Sequence, residues 1–420
     1  MPSKEKYSIL SGEQVVVGSS VNEDGRPDYL PKPATFMPLE TVSNLIGNTV
    51  KLYDIRRSPD TFTRIEAKQK RLGRPLDASM PEFQDFTWIS EPGVTYGMLD
   101  DRALPMAVRI TPWEKVTSNQ RKVMEILMEH TTMMQSIGNN ASMNGGASAK
   151  DQKFKGKGEM YGMGWHLSQE PNTTVSRYAS KKGEMGGVIE QETSGQLELV
   201  RSEYMNAFGS FLPGPMATME AVAAEHNIPS FANWTWVGEP TEYTGANSLT
   251  ITRRDFANAL HRDNDFCSLA YGWWWVAEEF TAEVDGKSRI VFRLNPAFDH
   301  DCIPGGEFVW GEYNMGVRFQ KAKGLVEIMW RGKEDPHGTL MGSEPPNATR
   351  FGTSIQLTKR GVDAIQAARR KSDPAIHIKP SHLFKVYLIY DGFVHASARS
   401  EEEATIHCRI GIRNSLGRNL

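Results

Sequence analysis

Between Ser248 and Leu357 the chain repeats one theme: a short run of β-branched and aromatic residues, then a turn of Gly, Pro, Asn or Asp. Ser248-Leu-Thr-Ile-Thr252, Tyr271-Gly-Trp-Trp-Trp-Val276 and Ser288-Arg-Ile-Val-Phe-Arg-Leu294 read as strands. Pro304-Gly-Gly-Glu-Phe308 is a turn entering another strand. Leu325-Val-Glu-Ile-Met-Trp330 leads through a further turn into His337-Gly-Thr339, and Arg350 to Leu357 closes the series. Such a region is built on strands, so whatever chemistry it performs falls to side chains that share a strand face.

Successive strand residues alternate sides, so positions i and i+2 face the same way. His261 and Asp263 can therefore aim at one point from one short extended segment. His337, from a distant strand, would complete a set of two histidines and one carboxylate. That set suits non-haem Fe(II) and leaves positions open on the metal for a cosubstrate and O₂. Arg350 offers a planar guanidinium that can grip a dicarboxylate cosubstrate with two parallel hydrogen bonds. An isolated His-x-Asp is more often a surface pair near a strand end; here the neighbouring strands change the weighting. Asp299-His300-Asp301-Cys302 competes, but adjacent strand residues face opposite sides and no arginine follows at a matching position, so it reads as a polar turn. His377 and His382 are spaced for neither a strand face nor one helical face. No nucleophile elbow, P-loop or dinucleotide glycine fingerprint is present.

At this point the sequence resembles a family. The order His-x-Asp, Gly-Gly-x-Phe, a distal His-Gly-Thr and then an arginine is similar to the double-stranded β-helix of 2-oxoglutarate/Fe(II) dioxygenases. Within that superfamily, His261-Arg262-Asp263-Asn264-Asp265 and Asn347-Ala-Thr-Arg350-Phe-Gly-Thr-Ser-Ile-Gln356 most resemble the TET/JBP branch, and more narrowly the fungal TET-like proteins. The resemblance implies an α+β fold, a jelly-roll core braced by helices with an irregular N-terminal extension. It implies that His261, Asp263 and His337 hold Fe(II), that Arg350 holds the far carboxylate of 2-oxoglutarate, and that O₂ takes the last open position.

The same resemblance implies a methylated base in double-stranded DNA as substrate. Such a base must be flipped out of the duplex to reach a buried metal. The expected outcome is oxidation of 5-methylcytosine to 5-hydroxymethylcytosine and further oxidised forms. The same chemistry on N-methyladenine would release formaldehyde, and a protein or small molecule is another substrate class. A non-catalytic β-helix binding module is a third reading. Asn264 and Asp265 follow the ligand pair where the family reads the base; equally, they could stabilise a turn. A monomer in the nucleus is expected, the location inferred from the substrate alone.

Composition limits how DNA could be held. The 420 residues carry 48 basic and 51 acidic side chains, a net charge of −3, so DNA contact must rest on local basic surface. Lys150, Lys153, Lys155 and Lys157 lie in a Gly- and Asn-rich loop, with Lys181-Lys182 beyond; Lys153 and Lys155 are the candidate phosphate contacts. Lys68, Lys70, Arg71 and Arg74 form a second basic run, read first as a solvated face. Three cysteines, Cys267, Cys302 and Cys408, are too few for a disulfide framework or a zinc module and suit a reducing compartment. With no signal pattern and no apolar run of membrane-spanning length, a soluble intracellular protein is expected.

Three regions follow. Residues 1–105 form an extension packing on the core, with short strands at Gln14 to Val17 and Thr49 to Tyr53. Residues 106–247 supply helical support and DNA-contacting loops, and residues 248–420 form the dioxygenase core. The stretch from Trp113 to Asn140 contains the best helix, capped by Thr117 or Ser118 and closed by Gly138, with Val123, Ile126, Leu127 and Met134 inward and its methionines filling core. A second helix is read from Pro213 to Asn227 and a third from Lys359 to Lys371. Phe231 to Trp236 is read as strand-like.

Overall fold

A computed structural model describes residues 20–21, 27–28, 50–100, 103–134, 138–139, 158–168, 173–178, 184–233, 245–284, 286–371 and 378–379. In chain order its main elements are β1 (Val50–Asp54), α1 (Pro59–Leu72), β2 (Thr87–Ile89), β3 (Gly93–Met98), β4 (Met106–Thr111), α2 (Ser118–Met133), β5 (Glu159–Leu167), β6 (Val175–Arg177), α3 (Glu184–Phe211), α4 (Pro213–Glu225), β7 (Ser248–Arg253), β8 (Leu269–Val284), β9 (Lys287–Arg293), β10 (Phe308–Trp310), β11 (Met315–Val317), β12 (Leu325–Arg331), β13 (His337–Thr339), β14 (Ala348–Gln356) and α5 (Lys359–Arg369). All lie in one unit, Met1–His382.

Three consecutive tryptophans in β8 show how the layers arise. Alternation sends Trp273 and Trp275 to one side and Trp274 to the other. Trp273 and Trp275 enter a core shared with α2, α3, α4 and α5; Trp274 enters a second core with Phe308, Trp310, Phe319 and Trp330. All three are buried. Burying a side chain of this class contributes roughly 1.5–3 kcal/mol, so both faces of the strand are fixed and a register slip would expose one core.

The larger sheet runs β6-β5-β7-β14-β8-β12-β4-β3-β1, with β9 also on β8. The smaller runs β13-β10-β11-β2. The second core lies between them, and helices cover the outer face of the large sheet. This is the jelly-roll α+β architecture expected from the resemblance. The sheets draw strands from residues 50–98 and 106–177 as well as from the C-terminal part. Central strand β14 pairs with β7 (Ser248 opposite Gln356, Thr252 opposite Gly352) and with β8 (Val276 opposite Arg350). In the small sheet Trp310 stands opposite His337.

α2 begins with a capping box: Thr117 Oγ1 accepts from the Gln120 N–H at 3.1 Å and Gln120 Oε1 accepts from the Thr117 N–H at 3.0 Å. It ends at Met133, before the expected stop at Gly138. Asn227, with φ of 52°, ends the turn after α4. Residues 231–233 form a turn where a strand was expected, and 234–236 lie outside the described residues. The expected strand at Gln14 to Val17 also lies outside them. Among the described residues no helix is long and apolar enough to cross a membrane.

Candidate metal and cosubstrate site

Two chain segments meet at an isolated antiparallel bridge between His261 and His337. The His261 N–H donates to the His337 carbonyl at 2.9 Å and the His337 N–H to the His261 carbonyl at 3.0 Å. Directly opposed residues in such a pair project to the same face. Their ring centroids are 4.8 Å apart. Asp263 follows at i+2 in extended backbone, its N–H donating to the Gly332 carbonyl at 2.8 Å. Gly332 allows this approach: a Cβ there would sit 2.5 Å from Asp263 Oδ2.

Each imidazole is oriented from behind. His261 Nδ1 lies 2.9 Å from the Ala259 carbonyl and His337 Nδ1 lies 3.0 Å from the Asp335 carbonyl. A carbonyl oxygen only accepts, so Nδ1 carries the proton and each Nε2 presents a lone pair. Asp335 is itself fixed by Arg331 at 2.7 Å, Arg57 at 3.0 Å and the Tyr313 hydroxyl at 2.6 Å. The Trp330 indole N–H donates to His337 Nε2 at 3.1 Å, in keeping with that tautomer; a metal taking the same lone pair would displace this bond.

The two Nε2 atoms face the Asp263 carboxylate, 3.2 Å from His261 to Oδ1 and 3.3 Å from His337 to Oδ2. One ligand atom from each residue lies within 4.8 Å of the others. Two lone pairs and a carboxylate converging on one point call for a cation there. Burial would raise the Asp263 carboxyl, but positive charge on His337 and His261, when the rings take a second proton, holds it well below the usual carboxylate range. Nitrogen and carboxylate donors in this ratio fit Fe(II).

Arg350 lies in β14 at a small pocket whose walls include Thr252, Asp255, Trp274, Thr339, Glu344 and Gly352. Its Nε–H donates to His300 Nδ1 at 3.2 Å, Nη1 to the Gly305 carbonyl at 2.7 Å, and Nη2 to the carbonyls of Ile303 at 2.9 Å and His300 at 3.3 Å. The guanidinium stands over Phe319 at 4.9 Å, and the His300 ring stacks on the same phenyl at 5.3 Å. These bonds take four of the five N–H donors, leaving one on Nη1. The expected pair of parallel hydrogen bonds to a carboxylate is therefore not open to Arg350 in this arrangement.

Arg350 makes no ion pair among the described residues. Burial pulls its pKa down to about 10 against the opposing charges of Glu344, Glu307, Asp255 and Asp299. A buried cation without a contacting anion costs several kcal/mol, so the pocket suits an incoming carboxylate. Gly352 keeps the space open: a Cβ there would sit 2.5 Å from Trp274 Nε1 and 2.9 Å from Thr252 Oγ1. The candidate metal ligands do not line this pocket. Thr339, two residues along β13 from His337, is the wall nearest to them in sequence.

The remaining candidates fall in different places. Asp265 is buried, its Oδ2 3.0 Å from Gln356 Nε2, and its carboxyl is pushed well up by burial, then by the charges of Asp263 and Glu334. Asn264 is exposed. Arg262 pairs with Glu312 at 2.5 Å and lies over Phe62. Lys153 and Lys155, with Lys150, Lys157, Lys181 and Lys182, lie outside the described residues. In α1, Lys68 pairs with Glu82 at 3.1 Å and Lys70 with Glu66 at 3.0 Å. His300, read from sequence as part of a polar turn, is wholly buried and braces Arg350. Only a histidine at a fixed distance before Gly-Gly could have hinted at it.

A family model described as the Tet-like 2OG-Fe(II) oxygenase superfamily matches residues 117–342, which include His261, Asp263 and His337 but stop short of Arg350. The chain belongs to that superfamily, whose members use Fe(II), 2-oxoglutarate and O₂. No curated protein matches. Among solved structures, one titled as NgTET1 in complex with 5mC DNA is 12% identical, covering 66% of this chain and 81% of its own, with a TM-score of 0.35. The structure of OsALKBH1 is 10% identical, covering 60% and 97%, with a TM-score of 0.23. The assignment to the family rests on the sequence match.

Proposed function

We propose that this dioxygenase oxidises methylated bases in double-stranded DNA, with His261, Asp263 and His337 as its iron ligands and Arg350 as its 2-oxoglutarate anchor. The observation that carries the ligand assignment is the convergence of two lone-pair nitrogens and a carboxylate, with both imidazoles oriented from behind by backbone carbonyls. Bound there, iron supplies the activation of O₂ that couples decarboxylation of 2-oxoglutarate to hydroxylation of a substrate C–H.

The protein's part is placement. The Ala259 and Asp335 carbonyls hold both imidazoles in the ligating tautomer, and Gly332 leaves room for the carboxylate. Arg350, held by His300 and three carbonyls, directs one free N–H and a buried positive charge to the far end of the cosubstrate. A target carbon must be held close to the metal, so substrate choice follows from the walls of the site.

The choice of DNA rests on the Tet-like character of the chain. Asn264 and Asp265 are proposed near the base and Lys153 and Lys155 near phosphates. 5-Methylcytosine is the favoured base. An N-methyl group would undergo the same hydroxylation and shed formaldehyde, and a nuclear location belongs to either version. The net charge of −3 favours a second reading, hydroxylation of a protein or small molecule.

The test is incubation with duplexes carrying 5-methylcytosine or N-methyladenine, plus Fe(II) and 2-oxoglutarate. Nucleoside mass spectrometry should show a hydroxylated or demethylated base, lost in His261→Ala and Asp263→Ala. No base product, and no DNA binding at low salt, would shift the reading to the second substrate class. Unchanged turnover in both variants would overturn the ligand assignment.

A further inference from the structure

Gln356 sits at the end of β14, an even number of residues from Arg350 and so on the same strand face. It is half-buried. Its Nε2 lies 3.1 Å from Asp263 Oδ2 and 3.0 Å from Asp265 Oδ2. A primary amide has two N–H donors, and here two carboxylates can accept one each. The backbone bond from Asp263 to Gly332 fixes its main chain but leaves its side chain free to rotate. Both histidines carry their proton on Nδ1, so neither neutral ring donates to the carboxylate through Nε2. Among the described residues, Gln356 is the one side chain outside the His-Asp-His set with a hydrogen bond to it.

We propose that Gln356 is a positioning residue for the metal: its amide fixes the rotation of the Asp263 carboxylate so that an oxygen faces the point shared by the two imidazoles. This rests on the reading of Asp263 as a metal ligand. Asp265 holds the second N–H and so stops the amide from turning away. β14 then carries the cosubstrate anchor near its start and the carboxylate clamp at its end, on one hydrogen-bonded strand. Supporting groups of this kind typically govern metal affinity by about 10- to 100-fold.

The experiment is anaerobic calorimetric titration of the metal-free full chain with Co(II), followed by 2-oxoglutarate at saturating Co(II). Gln356→Met keeps the length of the side chain and removes its donors. It should raise the Co(II) Kd by about 10- to 100-fold, with 2-oxoglutarate affinity and melting temperature close to wild type. If that variant does not fold, Gln356→Ala, at a half-buried position, gives the same reading. A Kd within about twofold of wild type overturns the proposal, since it lies well below the range expected of such a group. So does an equal weakening of metal and 2-oxoglutarate with a lowered melting temperature, which marks general damage. His261→Ala separates the two levels. If it binds Co(II) like wild type, the metal site itself is misassigned; if it loses Co(II) while Gln356→Met does not, the role of Gln356 alone falls.

Discussion

His300→Phe isolates the bond that holds Arg350. His300 is wholly buried, its Nδ1 accepts the Arg350 Nε–H at 3.2 Å, and its ring stacks on Phe319. A phenyl ring keeps the volume and the stack but removes the acceptor. A buried charged donor is then left unsatisfied, at a cost of about 1–3 kcal/mol or more. The guanidinium can stay and lower stability, or turn away from the pocket. In the second case the loss appears in 2-oxoglutarate affinity, and 1–3 kcal/mol corresponds to about 5- to 150-fold in Kd. Calorimetry with Co(II) in place of Fe(II) measures that Kd, and Co(II) affinity in the same experiment should not change. A melting-temperature loss with unaltered 2-oxoglutarate binding would reduce His300 to packing. No change in either would mean that Arg350 does not depend on this bond.

Three further outcomes follow from particular contacts. Gly332→Ala should push the Asp263 carboxylate aside and weaken Co(II) binding by at least tenfold, read by the same titration; unchanged affinity would show that the loop yields. Glu344 has its carboxyl raised to about 6 by burial, against hydrogen bonds from Thr349 and the Arg350 N–H. The folded chain therefore holds that proton more tightly than the unfolded chain, and stability falls as pH rises from about 4.5 to 6, by roughly 2 kcal/mol; urea unfolding of Glu344→Gln should lack this slope. Thr117→Ala removes the side-chain cap of α2 and should cost about 0.5–2 kcal/mol by denaturant unfolding, without moving Co(II) affinity.

Residues 248–357 were legible because each strand announces itself locally, through β-branched and aromatic runs cut by turns. The Val-Ile-Leu-Met face of α2 was equally plain, and those side chains are buried. α3 was not anticipated. It contains Gly186, Gly187, Gly195 and Gly209, and each glycine costs about 1 kcal/mol in a helix. Burial of Tyr204, Phe208 and Phe211 against Tyr271 and Trp273 offsets that cost, and it depends on a strand some sixty residues away. The His-x-Asp spacing pointed to a convergent pair, and the extended segment between the bridges at His261 and Asp265 brings it about. What surrounds the pair was invisible: the carbonyls that set both tautomers, the amide of Gln356, and the carbonyls of residues 300–305 that occupy Arg350. Backbone partners leave no trace in residue identity, and Arg350 in particular looked freer than it is.

The reciprocal backbone bonds between His261 and His337 have a bearing on the protein's life in air. Ferrous centres are prone to oxidation and loss, and a scaffold that depended on the ion would come apart each time. Here the two halves of the centre are stitched by main chain, and the rings are aimed by carbonyls that owe nothing to a metal. Losing the ion should forfeit only its mass-action bonus to stability. The emptied polypeptide would then stay ready to be recharged, and iron supply rather than refolding would limit its return to work.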